Sequence, residues 1–157
     1  MAIWWRLKLM VAILLVTGAS AFGATTGQLY WCDTRTGFAI AGFDPVAYFV
    51  DQMPRQGSAA HEYLWHGVTW RFVSAANMAV FERDPDVYAP QYGGYGALRV
   101  ADGALLEGNP VLWQIHDDRL YFFTNVERLE AWKRAPKARK RRADSLWPKV
   151  NRVLVTQ

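Results

Sequence analysis

Residues 62–73, EYLWHGVTWRFV, constrain the fold more than any other stretch of the chain. With His66-Gly67 as a two-residue turn, Trp65 falls opposite Val68 and Tyr63 opposite Trp70. One face then collects Tyr63, Trp65, Val68, Trp70 and Phe72, while Glu62, Thr69 and Arg71 take the other. Strand side chains alternate between faces, so this pattern around a glycine turn specifies an antiparallel hairpin with one apolar side. Ser74 follows as the cap of a helix over 75–83, in which Met78 and Phe81 turn inward. A second hairpin is expected over Leu112–Phe123, turning at Asp117-Asp118, with Trp113, Ile115, Leu120 and Phe122 as its apolar face. Thr124 and Glu127 match a capping box for a helix through Arg134. Ala143, Leu146, Trp147 and Val150 keep helical spacing beyond it, and Pro148 is expected to bend or interrupt that helix. No internal repeat is visible in the residues. The expected fold class is α+β: two antiparallel β-hairpins packed with several short helices in a single domain.

Composition narrows the class. A chain of 157 residues with 52% hydrophobic and 20% charged residues is neither disordered nor fibrous. A single cysteine, Cys32, excludes an internal disulfide framework and any multi-thiolate zinc or iron–sulfur site.

The first 23 residues read as an export signal rather than as part of the fold. Arg6 and Lys8 supply the positive start, Leu9–Val16 is an unbroken apolar run, and Ala19-Ser20-Ala21 or Ala21-Phe22-Gly23 offers small residues for cleavage. The expected location is a bacterial periplasm, with an uncleaved membrane anchor as the alternative. The remaining chain divides into an amino-terminal segment at 24–37, a domain at 38–148 and a tail at 149–157.

Charge is unevenly spread. Lys133–Arg142 (KRAPKARKRR) holds seven basic residues and no acidic one, leaving the rest of the exported chain net negative. Such a run serves either as a solvated helix face or as a patch for anionic headgroups, each cation contributing about 1 kcal/mol near a charged membrane. Lys137, Arg139, Lys140, Arg141 and Arg142 are the candidates for that contact. Nucleic acid would use the same charges but is not an expected partner of an exported protein.

Three further segments stand out. Ala39–Phe49 (AIAGFDPVAYF) sets Asp44 before Pro45, the arrangement of a capped helix start, and Asp84-Pro85 repeats the device. Pro90–Gly96 (PQYGGYG) pairs glycines that either allow positive φ or let the backbone approach something closely. Trp147-Pro148 closes the sequence pattern. Together these segments, with the WxGxxWxFxSxxN joint between hairpin and helix, resemble the exported YHS domain family over about Phe38 to Pro148. The resemblance implies an α+β domain and, for the wider superfamily, heavy-metal binding through cysteine thiolates. At the positions where metal-associated relatives carry cysteines, this chain has Ala47, Val73, Asn77 and Gly96. Soft metals select sulfur ligands, so no metal and no cofactor is expected at that site.

His61, His66 and His116 form no recognisable metal motif. Ser74 lacks the turn of a nucleophilic serine, and Asp84/Asp86 and Asp117/Asp118 read as a helix start and a turn. No catalytic residue emerges. The expectation is a non-catalytic binding module for an unknown small ligand or protein partner. If it has a pocket, Asp44, Trp70, Tyr92, Gly93, Gly94 and Tyr95 would line it. The alternatives are metal handling through histidine and carboxylate ligands, and docking to an anionic membrane surface through 133–142.

Overall fold

The computed structural model describes residues 29–155, with side chains placed through Arg152, so the export signal lies outside the described residues. Its strands form two separate antiparallel pairs, an α+β arrangement of two hairpins and short helices. In the first, β1 (Ser58–Trp65) pairs with β2 (Val68–Phe72) in the register expected, Trp65 opposite Val68 and Tyr63 opposite Trp70. In the second, β3 (Asn109–His116) pairs with β4 (Arg119–Phe123). Both two-residue turns have positive φ at both positions, His66-Gly67 and Asp117-Asp118, which matches the right-handed twist of the flanking strands.

Helices fill the intervals. A 3₁₀ turn at Ile40–Gly42 leads to α1 (Ala47–Val50); α2 (Ala75–Arg83) and α3 (Pro85–Tyr88) follow the first hairpin. A second 3₁₀ turn at Gln91–Gly94 leads to α4 (Ala97–Ala101); α5 (Val126–Arg134) and α6 (Pro136–Val155) follow the second hairpin. Ser74 caps α2 as expected, its hydroxyl accepting from Asn77 N at 3.1 Å. The cap of α5 is Asn125 rather than Thr124, since the Asn125 side chain reaches Arg128 N at 3.0 Å. Asp84 starts α3 without a side-chain capping bond, because its carboxylate instead takes the Arg83 guanidinium at 3.1 Å. Pro148 does not interrupt α6; Trp147 and Val150 on either side of it both pack on the same core and hold the helix through it.

The succession of elements repeats, although the residues do not. β1, β2, α2 and α3 begin at Ser58, Val68, Ala75 and Pro85, and β3, β4, α5 and α6 begin at Asn109, Arg119, Val126 and Pro136, each 51 residues later. Finer detail repeats too. The caps Ser74 and Asn125 share extended backbone, and the helix ends Asp84 (φ −138, ψ 61) and Ala135 (φ −154, ψ 58) share one conformation. Ala41 and Tyr92 both take φ 55 within the 3₁₀ turns, and bridges Phe43–Gln56 and Tyr95–Glu107 close both units the same way. The sequence expectation of no repeat is thereby corrected: caps, turns and apolar alternation are preserved while side-chain identity is not.

Two cores result. The first gathers Tyr30, Ile40, Tyr48, Trp70, Phe72, Phe81, Leu120 and Phe122. The second gathers Tyr92, Leu98, Val100, Tyr121, Phe123, Trp132 and Ala143. β4 divides them, Leu120 and Phe122 facing one and Tyr121 and Phe123 the other. Tyr48 joins the units: its hydroxyl donates to Pro110 O at 2.9 Å and its ring meets Trp113 edge-on at 5.2 Å.

Candidate functional site

Among the described residues Asp44 is the one charged residue that is buried. Burying a carboxylate is costly unless hydrogen bonds replace its water. Here they do. Oδ1 accepts from Val46 N at 2.8 Å and Ala47 N at 3.3 Å, and Oδ2 accepts from Val73 N at 2.9 Å and the Asn77 side-chain amide at 2.7 Å. The positions that the resemblance assigns to thiolates, Ala47, Val73 and Asn77, therefore converge on one carboxylate. Pro45 makes this possible by pre-setting the helix start that aims the Val46 and Ala47 amides back at Asp44.

The other residues expected to line a pocket are divided between the two cores and are already engaged. Trp70 is fully buried, its indole N–H donating to Trp65 O at 3.2 Å. Tyr30 lies across it, ring centroids 5.3 Å apart, and also packs on Trp65 at 5.1 Å. Gly93 and Gly94 take φ of 62 and 84. The close approach that Gly93 permits is to the chain's own Leu29 carbonyl oxygen, and Trp31 N donates to Gly93 O at 2.7 Å. Residues 29–31 thus form a strap over the glycine turn and the Trp70 cluster. That strap comes from the segment ahead of residue 38, and no signal in the sequence placed it there. Tyr95 is half-buried beside both cores.

Tyr92 faces the second core. Its hydroxyl donates to Asp144 Oδ1 at 2.8 Å, and Asp144 Oδ2 accepts from Lys140 at 2.9 Å. Burial, and then the Asp144 carboxylate, push the Tyr92 phenol well above its ordinary pKa. Tyr121 lies beside it, ring centroids 5.9 Å apart, with its hydroxyl buried and without a hydrogen-bond partner among the described residues. The link from Tyr92 through Asp144 to Lys140 joins residues 52 apart and could not be read from local spacing.

The histidines do not assemble. His61 lies in β1, His66 is exposed in the first turn, and His116 ends β3. His116 shares a face of the second hairpin with Tyr121 and Phe123, against which α4 and α5 pack. Among the described residues no group of three or more His, Cys, Asp and Glu is placed to hold a metal ion.

The basic run splits in two. Arg142 donates to Ala101 O at 2.6 Å and so fastens α6 to α4, whereas Lys140 is paired with Asp144 one turn along the same helix. Arg139 is half-buried, whereas Lys137 and Arg141 are exposed. No helix among the described residues is long and apolar enough to cross a membrane. Compared with family models, with curated proteins and with solved structures, the chain finds no match.

Proposed function

We propose that this chain is a non-catalytic exported module of the YHS-like type that binds a partner through its surface and not through a thiolate metal centre. One observation carries the reading: Asp44, at the meeting point of the positions that would supply sulfur, is saturated by four N–H donors. A carboxylate so occupied has no lone pair turned toward an ion, and none of the side chains around it supplies the sulfur a soft metal selects. The glycine turn is likewise filled by the strap at Leu29–Trp31, which leaves binding to exposed residues.

Native mass spectrometry with elemental analysis of the protein purified from the periplasm tests this. The expected species is the bare polypeptide without stoichiometric metal. A stoichiometric copper or zinc ion would overturn the reading in favour of histidine and carboxylate ligands. A stoichiometric small molecule would overturn it in favour of an interior pocket around Tyr92 and Trp70.

A further inference from the structure

α3 and α6 occupy equivalent places in the two units, yet α3 has 4 residues and α6 has 20. The extension has two faces. Ala143, Trp147 and Val150 turn toward the second core, with Arg142 tied to Ala101 O and Lys140 paired with Asp144 on the same helix. On the opposite side Lys137, Arg141, Ser145, Pro148 and Lys149 recur at helical spacing and are all exposed. That outer line holds Lys137, Arg141 and Lys149 over about 18 Å of helix axis. The nearest acid on the helix, Asp144, is taken up by Lys140 and Tyr92.

We propose that this outer face of α6 is a docking surface for an anionic lipid bilayer, with Lys137, Arg141 and Lys149 meeting the headgroups. The inference rests on the surface-binding reading above and names its partner. Charge complementarity is the first argument. The exported chain outside 133–142 is net negative, so the excess positive charge sits on α6 and the turn before it, the part drawn to an anionic plane. Shape is the second. The line lies on a convex helix carrying no exposed aromatic side chain to stack on bases, which suits a plane of headgroups better than a nucleic acid strand. The third is the sequence at 6–16, whose cations and apolar run read as delivery to a membrane.

Vesicle flotation of the full chain tests this, comparing phosphatidylcholine alone with a phosphatidylcholine–phosphatidylglycerol mixture. The readout is the part of the excess binding to anionic vesicles that differs between variants, since Arg6 and Lys8 contribute equally to all of them. The wild-type chain shows an excess that collapses at high salt. K137E/R141E/K149E loses it, by about fivefold per cation and on the order of a hundredfold for the three. R35E/R55E/R83E changes the net charge equally at exposed sites elsewhere and retains far more of it. Circular dichroism of each variant shows that the fold persists, as expected for exposed side chains. No anionic excess, or an excess that K137E/R141E/K149E keeps, overturns the proposal. Salt-sensitive binding to polyglutamate with no vesicle excess overturns it in favour of an acidic protein. None of these outcomes bears on metal or ligand content, which the mass measurement decides separately.

Discussion

In the first unit the hairpin buries one face and turns the other to solvent, with Leu64 67% exposed on the outer side of β1. In the second, four consecutive residues of β4, Leu120 to Phe123, are buried on alternate faces. The strands have the same lengths, turns and following helices, so the difference lies in what is laid against them. α4 and α5 pack on the second hairpin and α6 closes over them, and among the described residues the first unit has no helix of that length. The first unit is instead stitched from within, by a buried carboxylate; the equivalent place in the second unit, past a 3₁₀ turn one residue longer, is Gly96, which has no side chain to accept such bonds. One scaffold is thus closed in two ways, by directional hydrogen bonds in one half and by apolar burial in the other.

The largest effect expected comes from removing the stitch. Asp44→Ala leaves buried amides at Val46, Ala47 and Val73 without an acceptor and should cost about 5 kcal/mol. Asp44→Asn, which keeps one acceptor oxygen, should cost about 2 kcal/mol. Tyr95→Phe, one residue before the equivalent place in the second unit, should stay within about 0.5 kcal/mol. Guanidinium unfolding of the three variants checks this; equal losses at 44 and 95 would erase the distinction between the units.

Next come the glycines of the two 3₁₀ turns. At Gly93 an added Cβ would strike the Leu29 carbonyl oxygen, at positive φ, so Gly93→Ala should lose on the order of 4 kcal/mol and release the strap. At Gly42 the nearest atom, the Gln56 side-chain oxygen, is 3.5 Å away, so Gly42→Ala should cost only the backbone strain of about 1–2 kcal/mol. Thermal melts would show the contrast, and tryptophan fluorescence would report movement of Trp31 in the first variant alone.

The smallest effects separate two neighbouring phenols. Tyr92→Phe removes the bond to Asp144 and should cost about 1 kcal/mol. Tyr121→Phe deletes a buried hydroxyl with no partner and should be neutral or slightly stabilising at pH 8. Burial, with Asp144 next, raises the Tyr121 phenol to about 12, against about 10 in an unfolded chain. Its contribution is therefore complete below the unfolded value and is lost as pH rises from about 10 to 12. Urea unfolding at pH 9 and pH 11 should show Tyr121→Phe declining less steeply than wild type; an unchanged slope would mean that this phenol ionises as freely folded as unfolded.

Legibility followed distance along the chain. The hairpin registers, the Ser74 cap and the inward faces of α2 and α6 are dictated by neighbours within about one turn or one strand pair, where period and cap chemistry suffice. The cap of α5 was misplaced by one residue because Thr124 and Asn125 are both good caps and only backbone direction chooses between them. The role of Asp44 was half legible. Asp-Pro announced the helix start, but the bonds to Val73 and Asn77 span more than 28 residues and leave no local mark.

By itself the sequence settled the elements, because alternation, turn residues and caps act through short-range sterics and hydrogen bonds. It also settled that one cysteine cannot build a thiolate site. Only the tertiary structure decided that the elements come in two equivalent sets, that residues 29–31 fill the cleft at the glycine turn, and which cations of 133–142 are bound to the fold. Those outcomes depend on which surfaces meet after the chain closes on itself, and burial against a distant partner is a property no single segment carries.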